Sequence, residues 1–142
     1  MEITIKELSS KDEMMSSFSL VSQMYEKMTE AEFSAALDEM ISRNDYKMVA
    51  AFLDGKMIGV SGYWIAFMLY CGRYLQASNL VVDCEIRKKG IGKKLLNYLE
   101  IKAKKLDCKK LVLDSYTENK KSHSLYFREG FYIRGFHFMK DL

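Results

Sequence analysis

The chain has 142 residues, 49% hydrophobic and 29% charged, which is typical of one soluble globular domain spanning residues 1–142. Three cysteines that form no close pair argue against a disulfide framework, and two histidines provide no zinc constellation. No apolar run approaches the ~20 residues of a membrane helix, and the first residues lack the shape of a signal peptide, so we expect a cytoplasmic protein without a metal.

The first half of the chain is predicted to hold two helices between strands. Residues 2–6 alternate polar and apolar side chains as a half-buried strand does, and residues 10–25 show helical spacing. Thr29 and Glu32 form a capping-box signature that begins a second helix, which is expected to end near residues 42–45. Three strands are then predicted, at residues 47–53, 57–70 and 74–82.

The second half is predicted to begin with a basic amphipathic helix. Its apolar stripe consists of Ile91, Leu95, Leu99, Ala103 and Leu106. The remaining predicted elements are a strand at 110–115, a helix at 120–129 and a hairpin of 131–134 with 137–140. The full order is β-α-α-β-β-β-α-β-α-β-β, which indicates an α/β (α+β) domain.

The segment around residues 80–93 has the features of an anion site. The buried-strand run Leu80-Val81-Val82 leads through a short turn to a helix start, where unpaired backbone N–H groups and the helix dipole favour a phosphate or pyrophosphate. Gly90 and Gly92 allow a close approach, and positive charge surrounds them at Arg87, Lys88, Lys89 and Lys93. The spacing fits neither the nucleotide P-loop nor the dinucleotide fingerprint.

Two motifs resemble those of the GNAT superfamily of N-acetyltransferases. Arg87-Lys88-Lys89-Gly90-Ile91-Gly92 resembles its acetyl-CoA loop, [RQ]-x-x-G-x-[GA]. Asn119 to Phe131 resembles the pattern N-x-x-A-x-x-x-Y-x-x-x-G-F, with Ser122 in place of Ala. The predicted element order is also that of the GNAT fold, and the resemblance therefore implies a central mixed, mostly antiparallel sheet flanked by about four helices.

The resemblance implies an N-acetyltransferase that takes acetyl-CoA as its cosubstrate. The strand residues Leu80, Val81 and Val82 would bind the pantetheine arm as an added strand. The pyrophosphate would be held by Arg87, Lys88, Lys89, Gly90, Ile91, Gly92 and Lys93. Tyr126 matches the general-acid tyrosine, since a phenol with a pKa near ~10 can protonate a thiolate of comparable basicity. Asn119 and Ser122 are assigned to the coenzyme site, and Asn119 would position the coenzyme or Tyr126.

The general base is not identified by the sequence. Asn79 stands where many relatives, the aminoalkylphosphonate N-acetyltransferases among them, carry Glu or Asp, and an amide cannot take a proton. Three routes stay open: a water relay through Gln76, Ser78 or Asn79, an acid elsewhere, or an amine that arrives neutral. The candidate acceptor-pocket residues are Tyr25, Met28, Tyr63, Trp64 and Tyr74, while His123 and His137 are expected to be structural.

Three functions compete at this point. The first is acetyl transfer to a small primary amine, with an aminoalkylphosphonate-like amine as a candidate because residues 53–56 and the C-terminal tail resemble those enzymes. A protein or peptide is the alternative acceptor for the same transfer. The second function is a catalytically weak acyl-CoA-binding sensor. A nucleic-acid-binding domain is the third, since residues 87–110 hold ten Lys or Arg against two acids. We expect the first, with no nucleic-acid or membrane partner, in a monomer or homodimer.

Overall fold

The computed structural model describes residues 2–86 and 90–142. In chain order its elements are β1 (Ile3–Leu8), α1 (Lys11–Met15), α2 (Phe18–Met24), α3 (Glu30–Asn44), β2 (Lys47–Leu53), β3 (Lys56–Met68), β4 (Gly72–Val82), α4 (Ile91–Lys105), β5 (Lys110–Leu113) and α5 (Lys120–Arg128). The strands form a sheet in the order β1-β2-β3-β4-β5, antiparallel throughout except for the parallel pair β4–β5. The predicted fold class, a mixed and mostly antiparallel sheet with flanking helices, is confirmed.

The helix predicted over residues 10–25 is divided into α1 and α2. Ser10 begins α1, because its hydroxyl oxygen accepts a hydrogen bond from the backbone N–H of Glu13 at 3.1 Å. At the division, the Ser16 hydroxyl donates to the Glu13 carbonyl and the buried Ser17 hydroxyl donates to the Met14 carbonyl at 2.6 Å. Such bonds from serine to the preceding turn compete with the regular helix ladder, which explains why the helix stops here.

Helices cover both faces of the sheet. On one face, α1, α2 and α3 contribute core side chains that include Met14, Leu20, Phe33 and Leu37. On the other face, α4 contributes Ile91, Leu95, Leu99 and Ala103. No helix within 2–86 or 90–142 is long and apolar enough to cross a bilayer.

Gly59 determines how closely the start of α4 approaches the sheet. A Cβ atom at Gly59 would lie 2.8 Å from Cγ2 of Ile91 and 3.2 Å from Cδ1 of Leu95. Real Cβ atoms do not come so near, so a larger residue in β3 would push α4 outward. The first turn of α4 is therefore seated directly on the sheet beside the end of β4.

The predicted C-terminal hairpin is wrong. Residues 131–142 are described throughout, and they contain no strand, turn or bend. The alternating apolar pattern that predicted two strands is present, but a strand forms only where a partner supplies the hydrogen bonds, and this segment pairs with none of the described strands. β5 is consequently the edge of the sheet.

Candidate active site

The sheet opens between β4 and β5. Their ladder runs only from Tyr74 opposite Lys110 to Ala77 opposite Leu113. Beyond Ala77, the described part of the chain pairs β4 with β3 alone, up to Val82 opposite Gly59. The other edge of Leu80, Val81 and Val82 can therefore receive an extended ligand through backbone hydrogen bonds, as an added strand would.

Asn79 lies at a bulge in β4 where this opening begins. The register with β3 shifts between Val60 and Gly62, and Asn79 has a left-handed φ of 56°, which asparagine tolerates better than most residues. Its Oδ1 accepts hydrogen bonds from the hydroxyls of Tyr46 at 3.1 Å and Ser78 at 3.2 Å. Its Nδ2 donates to the Tyr25 hydroxyl oxygen at 2.9 Å. We call Tyr25, Tyr46, Ser78 and Asn79 the Asn79 network.

The two tyrosines of the Asn79 network retain their protons. Burial raises the pKa of Tyr46, which is almost fully enclosed, and Tyr25 adds to the rise. Burial also raises the pKa of Tyr25, helped by the neighbouring Tyr116 and opposed by the Asn79 hydrogen bond. The Tyr25 oxygen accepts from Asn79, and a hydrogen bond with Tyr116 also contributes to the raised pKa of Tyr25.

Sequence reasoning missed Tyr46, which no local motif marks. Its phenol occupies the space beside Gly62 of β3, where any Cβ atom would collide with the ring. A glycine directly before the aromatic pair Tyr63–Trp64 is the signal that this close approach leaves in the sequence. The pairing itself crosses from the end of α3 to β4 and depends on the tertiary fold.

The start of α4 presents the free backbone N–H groups on which the predicted anion site depends. Gly90 precedes the helix with a left-handed φ of 68°, and its carbonyl accepts from the backbone N–H of Lys94 at 3.1 Å. Lys94 is the first donor within the helix, so the backbone N–H groups of Ile91, Gly92 and Lys93 have no acceptor in it. The Ile91 side chain is fully buried, so only its backbone can serve an anion. Three further loop residues, Arg87, Lys88 and Lys89, lie outside the described residues.

The turn into this loop is fixed by Asp83. The Asp83 carboxylate accepts a hydrogen bond from the backbone N–H of Glu85 at 3.1 Å. The backbone carbonyl of Asp83 accepts one from the backbone N–H of Ile86 at 2.9 Å. The Asp83 backbone N–H donates to the Ile58 carbonyl of β3 at 2.9 Å. These bonds tie the beginning of the loop to the end of the sheet.

Helix α5 lies beside the first turn of α4, next to the opening between β4 and β5. Leu125 lies against Gly92, since a Cβ atom at Gly92 would be 3.0 Å from Cδ2 of Leu125 and 3.9 Å from Cγ2 of Val82. The end of β4, the first turn of α4 and α5 therefore meet at one point. Tyr126 follows Leu125 and is half-buried.

Tyr126 is held by contacts on two sides. Its ring packs edge-on against Phe131, with the centroids 5.9 Å apart, and its carbonyl accepts from the Phe131 backbone N–H at 3.0 Å. Burial raises the pKa of Tyr126 above its ordinary value of 10.0, and a hydrogen bond with Ser122 acts in the opposite direction. The structure thus places Ser122, predicted for the coenzyme site, beside the candidate general acid.

Asn119 is exposed at the N-cap of α5, and its side chain makes no capping hydrogen bond. Its backbone N–H donates to the Tyr116 carbonyl at 3.1 Å, and an imidazole nitrogen of His123 lies 2.9 Å from the same oxygen. His123 therefore fixes the loop before α5, in keeping with its expected structural role.

A cleft of about 450 Å³ adjoins the Asn79 network. Its walls come from the end of α2, the following loop and the start of α3, with the side chains Met24, Tyr25, Glu26, Lys27, Met28 and Glu32. Tyr25 belongs to both the cleft and the Asn79 network, so the two adjoin at this side chain. Two of its residues, Tyr25 and Met28, are among those predicted for an acceptor pocket.

The other predicted pocket aromatics lie in the core. The Tyr63 hydroxyl donates to Glu7 at 2.7 Å, on the sheet face that α4 covers. Trp64 packs on Tyr46 with a centroid distance of 6.3 Å, and Tyr74 is buried. These three residues support the sheet and do not line the cleft.

The comparison with known families decides what this arrangement is. Residues 13–131 match the Acetyltransferase (GNAT) family. The chain belongs to the GNAT family and is an N-acetyltransferase. GNAT enzymes typically use acetyl-CoA, and the open edge of β4 and the start of α4 both present backbone N–H groups.

Individual relatives agree with this membership. An uncharacterized N-acetyltransferase of Bacillus subtilis, YhdJ, is 26% identical over 141 residues, 99% of each chain. Glucosamine 6-phosphate N-acetyltransferase of Arabidopsis thaliana is 30% identical over 98 residues, 66% of each chain, and its crystal structure has a TM-score of 0.74 with 99% of both chains covered. Ribosomal-protein-alanine N-acetyltransferase of Brucella melitensis, at 19% identity, shares the fold with a TM-score of 0.83 over 99% of both chains.

Proposed function

We propose that this GNAT enzyme transfers the acetyl group of acetyl-CoA directly to the primary amine of a small molecule. The observation that carries the proposal is the junction at Gly92, where the open edge of β4, the start of α4 and the helix bearing Tyr126 meet. In this proposal the backbone of Leu80, Val81 and Val82 binds the pantetheine arm. The pyrophosphate lies on the loop from Arg87 to Lys93, which includes the N–H groups of Ile91 and Gly92.

The chemical step needs one proton donor and one route for proton loss. The amine nitrogen attacks the thioester carbon, the C–S bond breaks, and the Tyr126 hydroxyl gives its proton to the departing thiolate. The amine loses its extra proton to water, and solvent reprotonates Tyr126. The raised pKa of Tyr126 keeps its proton in place at neutral pH.

The proposed general-acid role of Tyr126 can be tested by measuring the pH at which its phenol ionises. Because burial is the larger influence on its pKa, we expect the Tyr126 phenol to lose its proton above pH 10.0. The absorbance difference between the wild type and Tyr126→Phe, followed as pH rises, isolates this one phenol among nine tyrosines. A midpoint below pH 10 would show that another group favours the phenolate and would weigh against a general-acid role.

Asn79 serves as a positioning residue in this proposal. Its amide donates to the Tyr25 hydroxyl oxygen and so orients Tyr25 at the mouth of the cleft. Proton loss then proceeds through water near Ser78 and Asn79, or the amine arrives neutral.

Replacement of Asn79 tests this view. Asn79→Asp keeps the side-chain length and supplies the missing carboxylate. If position 79 takes part in a proton relay, kcat/KM should persist to lower pH, because the pKa of a carboxylate is far below that of an amine. The acidic limb of the pH profile should move by about one pH unit or more. The control is Tyr46→Phe, which removes a hydrogen bond to the same amide without adding charge and should leave the limb in place. An unchanged limb in a folded, active Asn79→Asp enzyme would exclude position 79 from deprotonation.

The cleft suggests what kind of acceptor binds. Glu26 and Glu32 place carboxylates at its walls, which attract a cationic amine, and Lys27 provides a charge for an anionic group. A small amine that also carries a phosphate or phosphonate would match both. The relative named glucosamine 6-phosphate N-acetyltransferase supports this choice.

A panel of acceptors tests the proposed function. Glucosamine 6-phosphate, aminoalkylphosphonates, polyamines, aminoglycosides and peptide N-termini would be assayed for release of free CoA, with acetyl-CoA alone as the control. We expect the highest kcat/KM with a phosphate- or phosphonate-bearing amine. Turnover of peptides alone would instead favour a protein N-acetyltransferase, and binding of acetyl-CoA without turnover of any amine would favour the sensor.

A further inference from the structure

The end of α2 is bonded to the last part of β4 at two points. At one point, the Tyr25 hydroxyl oxygen accepts a hydrogen bond from Nδ2 of Asn79 at 2.9 Å. At the other, Oε1 of Gln23 accepts a hydrogen bond from the backbone N–H of Cys84 at 3.1 Å. Residues 80–83 lie between these two anchors and include the open edge proposed for the pantetheine arm. We call this pair of hydrogen bonds the α2 clamp.

Gln23 supplies the one acceptor that the turn after β4 takes from another element. Three successive backbone N–H groups begin this turn, and each has an acceptor. The N–H groups of Glu85 and Ile86 bond to Asp83, within the turn itself. The N–H of Cys84 bonds instead to Gln23, 61 positions away in the sequence. A helix from the first part of the chain therefore fixes the entry to the proposed pyrophosphate loop.

The segment that carries the α2 clamp is also a wall of the candidate acceptor cleft. Tyr25 lines the cleft, and so does Met24, which lies between the two clamp residues. The backbone here is held by local bonds: the Tyr25 N–H donates to the Val21 carbonyl at 3.0 Å, and the Met28 N–H donates to the Tyr25 carbonyl at 3.1 Å. An interaction that fixes Gln23 and Tyr25 consequently fixes this wall as well.

The Gln23 bond contributes little stability while the turn is free to move. Gln23 and Cys84 are both exposed, so water competes for the hydrogen bond. Ordering a long glutamine side chain also opposes it through lost rotamer entropy. A coenzyme that bonds to the other edge of residues 80–82 would restrict the strand and the turn that follows. The α2 clamp then forms with a smaller loss of entropy, because one of its two sides is already ordered.

We propose that Gln23 is a positioning residue that couples the coenzyme site to the acceptor cleft. Bound coenzyme orders the end of β4, and the α2 clamp extends this order to residues 23–28. Such coupling is reciprocal, so an amine in the cleft strengthens coenzyme binding by the same factor. One exposed hydrogen bond limits that factor to about 2–10-fold. The coupling rests on the proposed function only for the place of the coenzyme, and it is independent of the acceptor's identity.

Hydrogen exchange of the full chain, read by mass spectrometry with CoA as the probe, tests the coupling. CoA should slow exchange at residues 80–86 and 90–94, where it binds, and by about 2–10-fold at residues 23–28. Gln23→Met keeps the side-chain length but removes the acceptor, so protection of residues 23–28 should be lost while protection at the binding residues persists. Gln23→Glu provides an acceptor again and should restore the distant protection.

Ser22→Ala is the matched control, because it removes a hydrogen bond that stays within α2, from the Ser22 hydroxyl to the Ser19 carbonyl at 3.1 Å. Its pattern of protection should equal that of the wild type. Protection of the binding residues without protection of residues 23–28 in the wild type would overturn the coupling and leave the coenzyme site standing. So would a Gln23→Met protein that keeps the distant protection. CoA that protects neither region would contradict the proposed function, and the coupling with it.

Discussion

Replacing Tyr126 with phenylalanine should lower kcat by about 10²–10⁴-fold, the usual cost of losing a positioned general acid. The ring would stay packed against Phe131, since the substitution removes only the hydroxyl and its bond with Ser122. Leu125 would still lie against Gly92. The dissociation constant of acetyl-CoA should therefore hold, while kcat and kcat/KM fall together because the proton is needed only in the transition state.

The matched control for this variant is Tyr98→Phe. Tyr98 also lies on a helix and also donates its hydroxyl to a partner, Glu7, but this pair is in the cluster with Tyr63 and not at the opening between β4 and β5. Its kcat should stay within a few-fold of the wild type. A Tyr126→Phe enzyme that keeps most of its activity would show that water or another group protonates the thiolate.

Replacing Gly92 with valine should weaken acetyl-CoA binding by more than tenfold, or about 1.4 kcal/mol or more. Two effects act in the same direction. The added side chain obstructs the approach of the pyrophosphate to the backbone of the first turn, and its Cβ atom alone would stand 3.0 Å from Leu125. The second effect also displaces α5, so kcat should fall along with affinity.

Calorimetric titration with acetyl-CoA measures this effect, and two variants separate its causes. Gly92→Ala adds only the Cβ atom and should weaken binding less than valine does. Asn97→Val puts the same β-branched residue on the exposed face of α4, where it should leave affinity unchanged. An unaltered dissociation constant in a folded Gly92→Val enzyme would contradict the phosphate-loop assignment.

Features that depend on neighbouring residues were predictable from the sequence. The capping box at Thr29 forms as expected, with the Glu32 N–H donating to the Thr29 hydroxyl oxygen at 3.1 Å and the Glu32 carboxylate accepting from the Thr29 N–H at 3.0 Å. The glycine at position 90 takes the left-handed conformation directly before α4. Both signals act within one helical turn, which is why their residue types and spacing suffice to find them.

Features that depend on distant contacts were not predictable. The Asn79 network joins α2, the end of α3 and β4, and nothing in the sequence around Asn79 indicates Tyr46 as its partner. Tyr63 was assigned to the acceptor pocket because it is aromatic, but its register in β3 directs it to Glu7 on the other face. The prediction of a final hairpin was wrong for a related reason. Alternation of polar and apolar residues shows that a segment can form a strand, but whether it does depends on a partner strand elsewhere in the fold.

Direct transfer of acetyl from acetyl-CoA to a small amine leaves no acetyl group on the protein, and a single-turnover experiment can show whether this holds. Enzyme in excess over isotopically labelled acetyl-CoA is mixed with a phosphate-bearing amine, quenched at successive times, and both the small molecules and the intact protein are weighed by mass spectrometry. The predicted result is labelled N-acetyl amine that appears as acetyl-CoA disappears, with the protein mass unchanged at every time. Label that first accumulates on the protein, or acetyl-CoA that stays bound and unreacted in the presence of every amine of the panel, would contradict it.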